Sequence, residues 1–295
     1  MYRYNADDLK SIFSAILRDN VTPEAFKWLN DQIATLQNDS QFYKTFITVP
    51  RKTGKAPIHI THSHAAAVVA IRNHLYLKDW TSDRLARSWL LLHVDPTDAD
   101  QYIRTIQDLF RSAEVQELVA LYSSLPILAY PEKWTARCSE GIRSNISDVL
   151  TAIMCNNPYP SENLDEPAWN QLVLKAFFTD KPIDEIIGLD ARANETLAHT
   201  LCDYAHERWA AHRDVNPQLW RCVGPFINER SLPDIKKLLQ SGNSIERDAA
   251  ALALFSSNYQ QAKNLLTPDY LHKINNGQLS WQTIANEIKN HVLQQ

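Results

Sequence analysis

Glycine is scarce in this chain. It occupies 6 of 295 positions, against a usual share of ~7%. Glycine supplies the positive-φ residues of tight hairpins, phosphate loops and βα turns, so few such turns are available. The six stand apart, at Gly54, Gly141, Gly188, Gly224, Gly242 and Gly277. Neither G-x-G-x-x-G nor G-x-x-x-x-G-K-[ST] can be written from them, which removes the dinucleotide and P-loop fingerprints. Four cysteines, Cys138, Cys155, Cys202 and Cys222, form no C-x-x-C pair and read as reduced thiols rather than a disulfide framework. Long apolar runs are missing too: none is longer than Ala65 to Ile71, far below the ~20 residues a membrane helix needs. The opening MYRYNADDLK has acids and no apolar signal core. Basic charge is not in excess, since the net charge is −4, which argues against general nucleic-acid binding. No Ser/His/Asp signature, D-D-x-x-D motif or EF-hand loop is present. These absences predict a cytoplasmic protein with no nucleic-acid partner, no integral membrane span, no metal and no cofactor.

What is there is helical period. Leu9, Phe13, Ile16 and Leu17 follow the i, i+4, i+7, i+8 stripe behind the cap Asn5. Thr22-Pro23-Glu24 opens a second helix lined by Phe26, Leu29, Ile33 and Leu36. Residues 40–62 are less regular, and VPRKTGKAPIHI reads as a loop or short extended piece. Helical texture returns at 65–75, 82–93 and 99–112. The chain breaks near Leu125-Pro126, and further helices are expected from 132 to 292. The fold class predicted is all-α, an irregular multi-helical array of antiparallel helices. Its C-terminal part reads as HEAT-like or α-solenoid-like, because Glu246, Arg247, Ala249, Ala250, Leu252 and Leu254 have the Arg/Ala/Leu texture of such repeats. An N-terminal helical subdomain, 1–129, and a C-terminal one, 130–295, are expected to form one compact unit.

Charge is segregated. From Ser40 to Lys78 there are six cations and no acid, so the rest of the chain carries −10. Within that window Arg51, Lys52 and Lys55 form a candidate anion-binding loop. His59, His62 and His64 in HITHSH invite a metal reading, since His62 and His64 share a face of an extended segment. No H-E-x-x-H or cysteine pair completes a ligand set, and a structural role for His64 is preferred.

Along LAHTLCDYAHERWAAHR, 100° per residue puts His199, Cys202, Asp203 and His206 on one stripe and Leu197, Leu201, Tyr204 and Arg208 on the other. Asp203 is placed to pair with either histidine, most simply in a hydrogen-bonded network. Arg208 on a partly apolar stripe needs a partner or an anionic ligand. A further group gathers around a rigid corner, Asn156-Asn157-Pro158-Tyr159-Pro160. Here Arg143, Asn145, Asn157, Tyr159, Asn170 and Lys175 line a polar pocket in one reading; in the other they cap a helical corner around a packed Trp169.

Several of these runs resemble the EboA family: Asn157-Pro-Tyr-Pro160, Ala168-Trp-Asn-Gln-Leu-Val-Leu-Lys-Ala176, Gly188-Leu-Asp-Ala-Arg-Ala-Asn194, Asp203-Tyr-Ala-His-Glu-Arg-Trp-Ala210 and Leu219-Trp-Arg-Cys-Val-Gly-Pro225. Pro50-Arg-Lys-Thr-Gly-Lys-Ala56 is similar to the family's N-terminal half. The resemblance implies a part in making or moving a small metabolite, beside a prenyltransferase-like membrane protein and hydrolase or isomerase homologues. It carries over no catalytic residue. The ligand-binding candidates it marks are Arg143, Asn157, Tyr159, Trp169, Asn170, Lys175, Asp203, Tyr204, His206, Glu207 and Arg208. The expected function is an accessory protein binding an anionic or polar small molecule, or a partner protein of the same pathway. The alternatives are an enzyme using His206, Glu207 or Asp203 on a prenyl or sugar phosphate, and an adaptor without ligand.

Overall fold

The computed structural model describes residues 1–35 and 38–292. Leu36, expected on the inner face of the second helix, lies outside them. The described chain is all-α, 68% helical and without a strand, and it divides into two compact units, 1–165 and 166–295.

The first unit holds α1 (Ala6–Asn20), α2 (Pro23–Thr35), α3 (Asp39–Thr53), α4 (His62–Ile71), α5 (Ser82–Leu91), α6 (Ala99–Ser112), α7 (Val115–Ser123), α8 (Thr135–Ile142), α9 (Ser147–Met154) and α10 (Tyr159–Asn163). Asn5 caps α1 through the backbone N–H groups of Asp7 and Asp8, and Leu9, Phe13, Ile16 and Leu17 are buried as their stripe predicts. At its centre α5 packs against α1, α3 and α7, and all of its residues but Arg84 are buried.

The largest departure from the sequence reading is α3, a helix where a loop was expected. Pro50 lies inside it. A proline lacks the N–H that would bond the carbonyl four residues back, which here is Phe46. Arg87 of α5 supplies the missing donor: its Nε bonds the Phe46 carbonyl at 3.1 Å. The same buried guanidinium pairs with Asp83 at 2.9 Å and Glu117 at 3.6 Å. One arginine thus repairs α3 and ties it to α5 and α7. Helix α4 begins at His62, with Thr61 capping the His64 N–H, so His62 and His64 lie in a helix and not on one face of an extended segment. Helix α7 and, further on, Pro268–Asn275 had no counterpart among the expected helices.

The second unit holds α11 (Glu166–Phe178), α12 (Glu195–Ala210), α13 (Leu219–Val223), α14 (Leu232–Leu239), α15 (Ser244–Ser256), α16 (Gln260–Lys263), α17 (Pro268–Asn275) and α18 (Trp281–Val292). Helix α15 is the hub and packs against α13, α14 and α18. Its Ala249, Ala250, Ala251 and Ala253 are buried, and these small residues admit neighbours on several sides. Gly224 makes the closest approach: a Cβ there would collide with Ser256 Oγ and lie 2.9 Å from the Ala253 backbone.

Candidate functional site

Two of the predicted residues, Tyr204 and Arg208, line a cleft of about 640 Å³ in the second unit. The α12 stripes fall as the 100° spacing predicts. On one side Asp203 accepts from Arg230 at 2.7 Å and His206 Nε2 meets Asp234 at 2.9 Å. His199 lies 3.4 Å from the Asn228 amide. The expected partnership of Asp203 with a histidine gives way to this arginine pair. On the other side Tyr204 and Arg208 face the cleft.

The cleft's remaining walls come from four places. Phe177 and Asp180 stand at the end of α11; Asp214, Val215, Asn216 and Pro217 follow α12; Asn243, Ser244, Ile245 and Glu246 open α15, with Ile288 of α18. Arg208 is pinned: its Nε donates to the Asp214 carbonyl at 2.9 Å, and its guanidinium lies 6.0 Å from the Tyr204 ring. Its two Nη groups have no partner among the described residues. Tyr204 Oη is 3.5 Å from the Phe177 carbonyl. Partial burial pushes its pKa up, Arg208 pulls it down, and Asp180 pushes it up again. The phenol therefore sits within the fields of both a cation and an anion of the same cleft.

Asp180 is the least expected member. Backbone bonds run from Lys181 N to the Ala176 carbonyl at 2.9 Å and from Asp180 N to the Phe177 carbonyl at 3.4 Å. This is the Schellman closure of α11, with Asp180 in the left-handed position that usually falls to glycine. Its φ is 51°. Its carboxylate also stands at the negative end of the helix dipole and has no ion-pair partner among the described residues. The only signal in the sequence was an aspartate in FFTDKP where a glycine cap would serve.

Four other candidates, Asn157, Tyr159, Asn170 and Trp169, make contacts within the fold. Asn157 is buried and donates to the Tyr122 and Ala152 carbonyls at 3.1 and 2.8 Å, while accepting from Tyr159 N at 3.0 Å. Tyr159 is fully buried, with its hydroxyl 2.5 Å from the Pro131 carbonyl. Asn170 exchanges two hydrogen bonds with Asn194, the N-cap of α12, at 3.1 and 2.8 Å. Trp169 is buried beneath the Arg192 guanidinium, 4.9 Å from its ring centre. Lys175 is half-buried and Glu207 exposed, both off the cleft lining. Arg143 belongs to the first unit, beside Phe110 and Arg137 in a smaller cavity of about 380 Å³. Arg51 and Lys52 lie in the last turn of α3, exposed, with Lys52 Nζ 5.8 Å from the Trp28 ring, and Lys55 follows the helix. Among the described residues no group of three or more His, Cys, Asp or Glu is placed to hold a metal. None of the described helices is long and apolar enough to cross a membrane.

The family model of the metabolite traffic protein EboA matches residues 9–224. The chain belongs to the EboA family. No curated protein and no solved structure matches it. The EboA match includes the half of the cleft formed by α11, α12 and the segment up to Pro217, Tyr204 and Arg208 among it. The wall from Gly242 to Glu246, with Ile288, lies beyond the matched segment.

Proposed function

We propose that this EboA protein is a binding protein of metabolite traffic, taking a small polar molecule into the cleft of its second unit. The observation that carries the reading is Arg208. A guanidinium held at Nε by a backbone carbonyl, with both Nη groups unpaired, is a fork prepared for a carboxylate or phosphate oxygen. The cleft volume falls in the range of small-molecule sites, and Phe177, Val215, Ile245 and Ile288 offer an apolar wall beside the polar groups. The acid–base alternative has less support, because His206 is engaged by Asp234 on the other side of α12.

Native mass spectrometry of the full chain, purified from its own cells, tests this reading. The wild type is expected to carry a small retained mass that Arg208→Gln loses while keeping its melting temperature. The same retained mass in both proteins, or a bare chain in both, would overturn it.

A further inference from the structure

The cleft separates opposite charges without letting them meet. Arg208 shares it with Asp180, Asp214 and Glu246. Glu246 accepts a hydrogen bond from Ser241, but the Asp180 and Asp214 carboxylates have no ion-pair partner among the described residues, and neither do the Arg208 Nη groups. Asp214 gives Arg208 its backbone carbonyl and not its carboxylate.

Such an arrangement selects against a plain anion. Three carboxylates against one guanidinium leave the lining net negative, so a phosphate monoester gains at Arg208 and is repelled by the remaining charges. A ligand that is only a cation is drawn by the carboxylates but leaves the Arg208 fork unanswered. A molecule carrying both charges answers the separation.

Asp180 strengthens the point. Two features at this one residue work against the fold, a left-handed backbone and a carboxylate at the negative end of a helix, and its charge stands exposed without an ion-pair partner among the described residues. Glycine or asparagine would close α11 without the charge. Local strain of this kind gathers at binding sites, and this instance lies on the cleft that Arg208 lines. The Tyr204 hydroxyl lies within the fields of both residues.

Resting on the reading of this cleft as a binding site, we infer that its ligand is a zwitterion of amino-acid type with an apolar body. Its carboxylate is held by Arg208, its ammonium by Asp180, and its body lies against Phe177, Val215, Ile245 and Ile288.

The test is isothermal titration of the full chain with three probes sharing one body: L-phenylalanine with both charges, 3-phenylpropionate with the carboxylate alone, and phenethylamine with the ammonium alone. L-phenylalanine is expected to bind at least about tenfold more tightly than either half-probe, since each charge-assisted contact is worth roughly a factor of ten. Arg208→Gln is expected to reduce L-phenylalanine to the level of phenethylamine, and Asp180→Asn to the level of 3-phenylpropionate. Both side chains are outside the core, and a melting curve of each variant checks the fold. If 3-phenylpropionate binds as tightly as L-phenylalanine, the zwitterion inference falls while the cleft remains a binding site. If none of the three binds, the inference falls as well, and the retained-mass experiment then judges the cleft by itself.

Discussion

Asp180 is a residue whose conformation costs the fold more than its side chain returns to it. Removing its charge while keeping a side chain tolerant of the left-handed backbone should therefore stabilise the protein. Asp180→Asn is expected to raise unfolding free energy by about 0.3–1 kcal/mol, the usual magnitude of a charge at a helix end, measured by urea denaturation. A loss of stability would show that the carboxylate has a structural partner. Arg87 is the opposite case, a charge the core cannot lose. It is 2% exposed, and beside it Asp83 and Glu117 are buried at 3% and 7%. Arg87→Leu leaves two buried carboxylates facing each other unpaired, and the expected loss is about 3–5 kcal/mol. A loss below 1 kcal/mol would mean that water reaches the pair.

At the scale of elements, α3 shows why a local reading of the chain stops where it does. Pro50 and Gly54 are the usual signs of a break, and VPRKTGK reads as a loop on any local rule. The helix persists because Arg87, 41 positions away, donates to the carbonyl that Pro50 leaves without a partner. Interior prolines commonly cost ~3 kcal/mol. Here Pro50→Ala is expected to gain less than about 1 kcal/mol of unfolding free energy by urea denaturation, because the new N–H competes for an acceptor already bonded. A full 3 kcal/mol gain would show that Arg87 does not compensate. Elsewhere local rules sufficed. The α1 stripe, the Asn5 cap and the two faces of α12 follow from spacing alone, and with them came Tyr204 and Arg208. The cleft's other walls did not, since the end of α11 and the start of α15 meet α12 through packing and carry no shared motif. Asn157, Tyr159 and Asn170 stood between two readings, a polar pocket and a capped helical corner. Spacing does not choose between them, and in the fold their hydrogen bonds go to backbone carbonyls and to the α12 cap.

For the whole molecule, burial of neutral groups sets the pH range of stability. His93 of the first unit lies edge-on to Trp89 at 4.7 Å, and its Nε2 is buried without a partner among the described residues. Burial first, and then the Lys10 ammonium, push its pKa from 6.5 down to about 4, against a small opposing effect of Asp7. A base with a depressed folded pKa must be neutral in the native state. Its contribution is present above pH 6.5 and is lost as pH falls from there toward 4. For a ring that keeps some contact with solvent, this amounts to about 2 kcal/mol. At the alkaline end, burial raises the thiols of Cys202 and Cys222 from 9.0 to about 12. Their contribution is present below pH 9.0 and is lost as pH rises toward 12. The profile should therefore be flat between about pH 6.5 and 9 and fall on both sides. Urea unfolding of wild type and His93→Phe at pH 7.5 and pH 5 isolates the acid limb. Phenylalanine keeps the ring against Trp89 and removes the titration, so the variant should lose about 1–2 kcal/mol less than wild type between the two pH values. An acid limb of unchanged slope in His93→Phe would move its origin to other groups.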